Sequence, residues 1–181
     1  MHRITESIDL KLPAEDVFAF LKDIESRLRL NPFYRVLSFE KLTEGDISVG
    51  TRFRIVLMSG ERRSEYISEV VEFVENKKIV TRDARDRLRL TLTLDSIPNG
   101  TRLTHDEEFI IPAELLYPEE KEQPDSPLWL KVIKGIMAIE RVRFTDTERD
   151  RKVEEIKNNL GSNLRMWLSK IKDRLESGQV N

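Results

Sequence analysis

Cysteine is absent from the 181 residues. That removes disulfides, thiolate zinc sites, iron–sulfur clusters and cysteine nucleophiles together. Histidine occurs only as His2 and His105, so His-rich metal centres and Ser-His-Asp enzymes are disfavoured, and no metal or cofactor is expected. An excess of one charge is also missing. Lys+Arg number 31 against 33 Asp+Glu, and a net charge of -2 gives no long-range field to attract a polyanion. Long apolar runs are missing as well. Stretches such as Ile136–Ile139 fall far short of the ~20 residues of a membrane span. The first ten residues, MHRITESIDL, lack a signal-peptide core. A soluble, cytoplasmic protein without stable membrane insertion is expected. With 39% hydrophobic residues, the chain can fill one full-sized core.

What is present is pattern. Ile4, Ile8, Leu10 and Leu12 share one parity and Arg3, Thr5, Ser7, Asp9 and Lys11 the other, as in a strand with one buried face. Pro13 suits the first turn of a helix, and Val17, Leu21 and Ile24 follow at helical spacing. A second short helix over 26–30 should stop at Asn31-Pro32, because the residue before proline avoids helical geometry. Strand patterns then follow at 36–43, 51–58, 64–74, 78–83, 88–95 and 101–111. The clearest is 88–95, where four leucines alternate with Arg89, Thr91 and Thr93. Asn99-Gly100 is a hairpin signal, and short turns between strands predict an antiparallel meander. Residues 112–127 are rich in proline and acids. Val153, Ile156, Leu160, Leu164, Trp167, Leu168, Ile171 and Leu175 then mark an amphipathic helix, with Gly178 as its stop.

Together these pieces resemble the START/Bet v 1-like (SRPBCC) superfamily of polyketide cyclase/dehydrase and lipid-transport type. The residues that carry the resemblance are ITESIDLKLPAEDVFAFLKDIE, LRLNPFYRVLSFEKL, VGTRFRIVL, YISEVVEFVENKKIVTRD, LRLTLTLDSIPNGTRLTHDEEFIIP and the final helix. The resemblance implies an α+β helix-grip fold. A curved antiparallel sheet of about seven strands would wrap a long C-terminal helix, with two short helices after the first strand. It also implies a single START/Bet v 1-like domain over 1–181 and a hydrophobic cavity between sheet and helix. It supplies no universal catalytic motif.

Two sets of candidate site residues follow. Phe53, Ile55, Leu57, Leu90, Leu92, Phe109, Leu164, Trp167 and Leu168 should face inward, with Tyr66 and Met166 beside them, as ligand-binding or simple core residues. A leucine-rich wall with few polar anchors suits a lipid, isoprenoid or aromatic polyketide. On the last strand, His105 and Glu107 share the apolar parity, as Glu6 does on the first. A register pairing residue 4 with residue 109 would gather Glu6, His105 and Glu107 into one polar cluster. Two carboxylates around an imidazole could hold a ligand oxygen or act as general acid and base. The alternative is that these side chains meet water at the rim.

The segment 127–144 is apolar almost all round, apart from Lys131, Lys134 and Arg141. It reads as an extra packing helix, a homodimer contact, a lid or a membrane-touching surface. Arg52, Arg54, Arg62, Arg63, Arg82, Arg85, Arg87 and Arg89 alternate with acids, which favours a solvated, ion-paired face over a nucleic-acid platform. The favoured function is binding or carrying a hydrophobic small molecule, because no catalytic set is secure. The alternatives are a cyclase/dehydrase-like enzyme using Glu6, His105 and Glu107, or a protein-interaction module using 127–144.

Overall fold

The computed structural model describes residues 1–111 and 146–178. The apolar 127–144 segment lies outside these residues. Seven strands form one antiparallel sheet: β1 (His2–Leu10), β2 (Arg35–Lys41), β3 (Arg52–Ser59), β4 (Arg62–Val74), β5 (Lys78–Asp83), β6 (Leu88–Ile97) and β7 (Gly100–Phe109). Their spatial order is β1-β7-β6-β5-β4-β3-β2, a meander whose last strand returns to pair with the first. Two short helices, α1 (Ala14–Lys22) and α2 (Ile24–Arg29), follow β1, and a long helix, α3 (Asp146–Glu176), closes the chain. This is the helix-grip architecture expected from the sequence.

The alternation of apolar residues explains the sheet's two faces. Phe53, Ile55 and Leu57 on β3, Leu92 and Leu94 on β6, and Leu103 and Phe109 on β7 are buried on the inner face. Register shifts at Val36/Ser38 and Val70/Glu72 mark bulges, which bend a strand and increase its twist. The inner face is thereby curved toward α3. Ile156, Leu164, Trp167, Leu168, Ile171 and Leu175 lie along one face of that helix and are buried. Its C-terminal end is tied to β1 and the residue after it. Lys172 Nζ donates to the Asp9 carbonyl at 2.8 Å, and the Lys11 amide donates to Glu176 Oε1 at 2.9 Å.

The β1/β7 register differs from the sequence expectation. Ile4 pairs with Glu107 rather than residue 109, so Glu6 stands opposite His105 and Ile8 opposite Leu103. A shift of two residues leaves each strand's faces unchanged, so alternation cannot distinguish the two registers. The hairpin end does. Gly100, at φ 143°, approaches the Leu10 carbonyl so closely that a Cβ would collide with it. Thr101 Oγ1 also donates to the Leu12 carbonyl at 2.8 Å.

The outer face carries paired charges. Arg102 reaches both oxygens of Asp9 at 2.7 and 3.0 Å, Arg3 Nε donates to Asp106 at 2.6 Å, and Arg54 holds Glu40 at 2.8 Å. Among the described residues, no helix is long and apolar enough to cross a membrane.

Candidate functional site

The site begins with an arginine on the wrong side of a helix. In α2, Ile24, Arg27 and Leu28 are buried at i, i+3 and i+4, so Arg27 occupies a core-facing position between two hydrophobic residues. Asp23 starts this turn by accepting the Ser26 amide at 3.0 Å. Arg27 is only 2% exposed. Its main chain is well held, because the Trp167 indole N–H on α3 donates to the Arg27 carbonyl at 3.0 Å. Its side chain is not. Nε and Nη1 are buried without a hydrogen-bond partner, and no carboxylate among the described residues forms an ion pair with the guanidinium. Burial pulls this group down to about 10.

Two phenols lie within electrostatic reach of Arg27. Tyr34 lies in the connection between α2 and β2, where Asn31 Oδ1 accepts the Phe33 amide at 2.9 Å. Tyr66, on β4, stands opposite Ile55 of β3. Burial raises both phenols above their ordinary range, so both stay protonated at neutral pH. The Glu107 carboxylate raises both of them slightly further.

His105 and Glu107 are brought together. Glu107 Oε1 lies 3.1 Å from His105 Nε2. The oxygen is out of line with the ring, so this is electrostatic proximity rather than a formed hydrogen bond, and neither imidazole nitrogen has a partner. His105 is 1% exposed and packs edge-on against Trp167 at 5.3 Å between centroids. Glu6 takes a different partner. Its carboxylate pairs with Arg165 of α3, over Gly161, whose missing side chain leaves room for the carboxylate beside the helix. Glu6 therefore sits at the sheet–helix seam.

Phe53, Ile55, Leu57, Leu92, Phe109, Leu164, Trp167 and Leu168 are all buried in the core. Met166 is not inward; it is 48% exposed on the far side of α3. Tyr66, Leu88, Leu90 and Leu160 pack against the core yet remain only partly buried. Along β6 the inner face is thus closed at Leu92 and Leu94 and looser at Leu88 and Leu90. Arg27 and Tyr34 were not singled out from the sequence. The signal available for Arg27 was its place between Ile24 and Leu28 on a helical face.

A separate concavity of about 480 Å³, open to solvent, is lined by Lys22, Asp23, Asp46, Ile47, Phe73 and Glu75. Its lysine is already engaged by Glu75 at 3.1 Å. Among the described residues, no three His, Asp or Glu side chains are grouped to hold a metal ion.

A family model described as polyketide cyclase/dehydrase and lipid transport matches residues 1–138. No curated protein matches the sequence. Solved structures share the fold at low identity. A protein of unknown function, SA2116 from Staphylococcus aureus, is 13% identical with a TM-score of 0.64, covering 99% of this chain and 98% of its own. Ara h 8.0201 is 13% identical with a TM-score of 0.59, covering 98% of this chain and 99% of its own. The Aha1 dimer from Colwellia psychrerythraea is 14% identical with a TM-score of 0.56, covering 99% of each chain.

Proposed function

Because the chain belongs to the polyketide cyclase/dehydrase and lipid-transport family, we propose that it binds or carries a hydrophobic small molecule between the sheet and α3. The ligand class is a lipid, isoprenoid or aromatic polyketide, held by one ligand-binding domain formed by the chain. The observation that carries this reading is the partly covered stretch of β6 at Leu88 and Leu90, where Leu90 stands opposite Glu107 and its buried neighbour Leu92 opposite His105. An apolar lining with a small number of placed polar groups is the usual composition of a small-molecule site. Native mass spectrometry of the purified protein, after incubation with a lipid extract, is expected to show a bound species. Leu90→Trp, which adds bulk to the wall, should reduce its occupancy. A protein that stays empty against every extract overturns the reading.

An enzymatic role is favoured by one observation, the 3.1 Å approach of His105 and Glu107. In that reading the pair moves a proton on a bound polyketide or similar carbonyl compound, as the sequence-derived cluster anticipated. Glu6 would act from the seam, through Arg165. Loss of turnover in both His105→Ala and Glu107→Gln, with ligand affinity retained, would support it. Self-association through 127–144 belongs to the same proposal, and the Aha1 relative is itself a dimer. Trp129→Asp should then yield a monomer in light scattering.

A further inference from the structure

We propose that the Arg27 side chain is the anchor for a ligand's anionic head group, so that the molecule carried is an amphipathic organic acid with a single negative charge. The proposal rests on the carrier reading above and names the ligand class for the same site. Its basis is an imbalance. A guanidinium buried to 2% exposure has two nitrogens without partners and no ion pair among the described residues. Such a charge costs free energy unless something compensates it. A structural role does not account for the side chain. The contact that joins α2 to α3 uses the Arg27 carbonyl, which any residue would supply.

The neighbours define what would fit. Tyr34 and Tyr66 remain neutral phenols within electrostatic reach of Arg27, so they add no charge that would repel an anion there. A planar fork of N–H donors suits a carboxylate or an enolate better than a neutral hydroxyl. The Glu107 carboxylate acts electrostatically on the same phenols. Its negative charge penalises a dianion such as a phosphate monoester and favours a monoanion. Leu90, which is only partly buried, stands opposite Glu107 in the β6/β7 pairing and offers the hydrocarbon body an apolar wall.

The test uses two probes that differ only at the head group, decanoate and decanol, titrated calorimetrically into the full chain at neutral pH. Decanoate is expected to bind about tenfold to a hundredfold more tightly than decanol. Arg27→Met should abolish that preference while leaving decanol affinity within about twofold of wild type. Equal affinities in the wild type, or a preference that survives in Arg27→Met, overturn the anchor and leave the carrier reading standing. Binding of neither probe overturns the anchor, and the carrier reading then rests on the lipid-extract measurement alone. A second measurement needs no variant. The carboxyl carbon of 13C-labelled decanoate, followed by NMR, should titrate at lower pH when bound than when free. A bound carboxyl that titrates at higher pH overturns the proposal.

Discussion

Replacing Arg27 with methionine should stabilise the ligand-free protein. Methionine keeps an unbranched apolar stem and deletes the guanidinium with its charge. Burial lowers the guanidinium to about 10, which means that folding disfavours its protonated form. At about 1.4 kcal/mol for each tenfold change in acidity, the cost to the native state is about 3 kcal/mol. The direction with pH follows from proton linkage. Because the folded pKa is depressed, the unfolded chain binds the proton more tightly. The penalty is therefore fully present below pH ~10 and is relieved as pH rises through that value. Urea denaturation at pH 7 should place the variant above wild type by up to about 3 kcal/mol. Excess decanoate should narrow the difference, since a ligand at a hundred times its dissociation constant adds about 2.7 kcal/mol to the form that binds it. A ligand-free variant less stable than wild type by more than about 1 kcal/mol would refute the reasoning. It would mean that the guanidinium already makes native contacts worth more than its burial costs.

Three further outcomes follow from the same geometry. Tyr34 and Tyr66 should resist ionisation past the ordinary phenol range in the native protein and titrate normally in denaturant. Absorbance at 295 nm checks this, and the raised phenols predict stability lost as pH climbs above ~10. Gly100→Ala should destabilise by about 1–3 kcal/mol or more, because the added Cβ meets the Leu10 carbonyl at a positive φ; an unchanged urea midpoint would refute it. Trp167→Phe should cost about 1–3 kcal/mol by leaving the Arg27 carbonyl buried and unpaired, again read by urea denaturation.

Strand parity was legible in the sequence because one face of each strand is apolar. Leu88, Leu90, Leu92 and Leu94 announced β6, and Asn99-Gly100 its turn. Register was not legible, because a two-residue slip preserves the same alternation, and the deciding contacts at Gly100 and Thr101 depend on three-dimensional approach. The start of α2 moved from residue 26 to Ile24 because Asp23 caps it, a local hydrogen bond that periodicity does not report. The charged turns of α3 before Val153 read from the sequence as either a solvated helix or a connection. They carry no long apolar stripe, and pairs such as Lys152–Glu155 and Lys157–Glu154 help to hold that end of the helix. Arg27 escaped notice because a charged residue is ordinarily read as solvent-facing. Met166 was wrongly drawn inward by its position beside Trp167.

Residue 27 faces two neighbours at once. Its side chain addresses the interior, while its carbonyl is gripped by the indole of the long helix. Turning the short helix to re-aim the guanidinium must therefore strain or break that grip. Any occupant that shifts the α2 backbone at this residue is thus mechanically coupled to the helix the sheet encloses, through a single indole hydrogen.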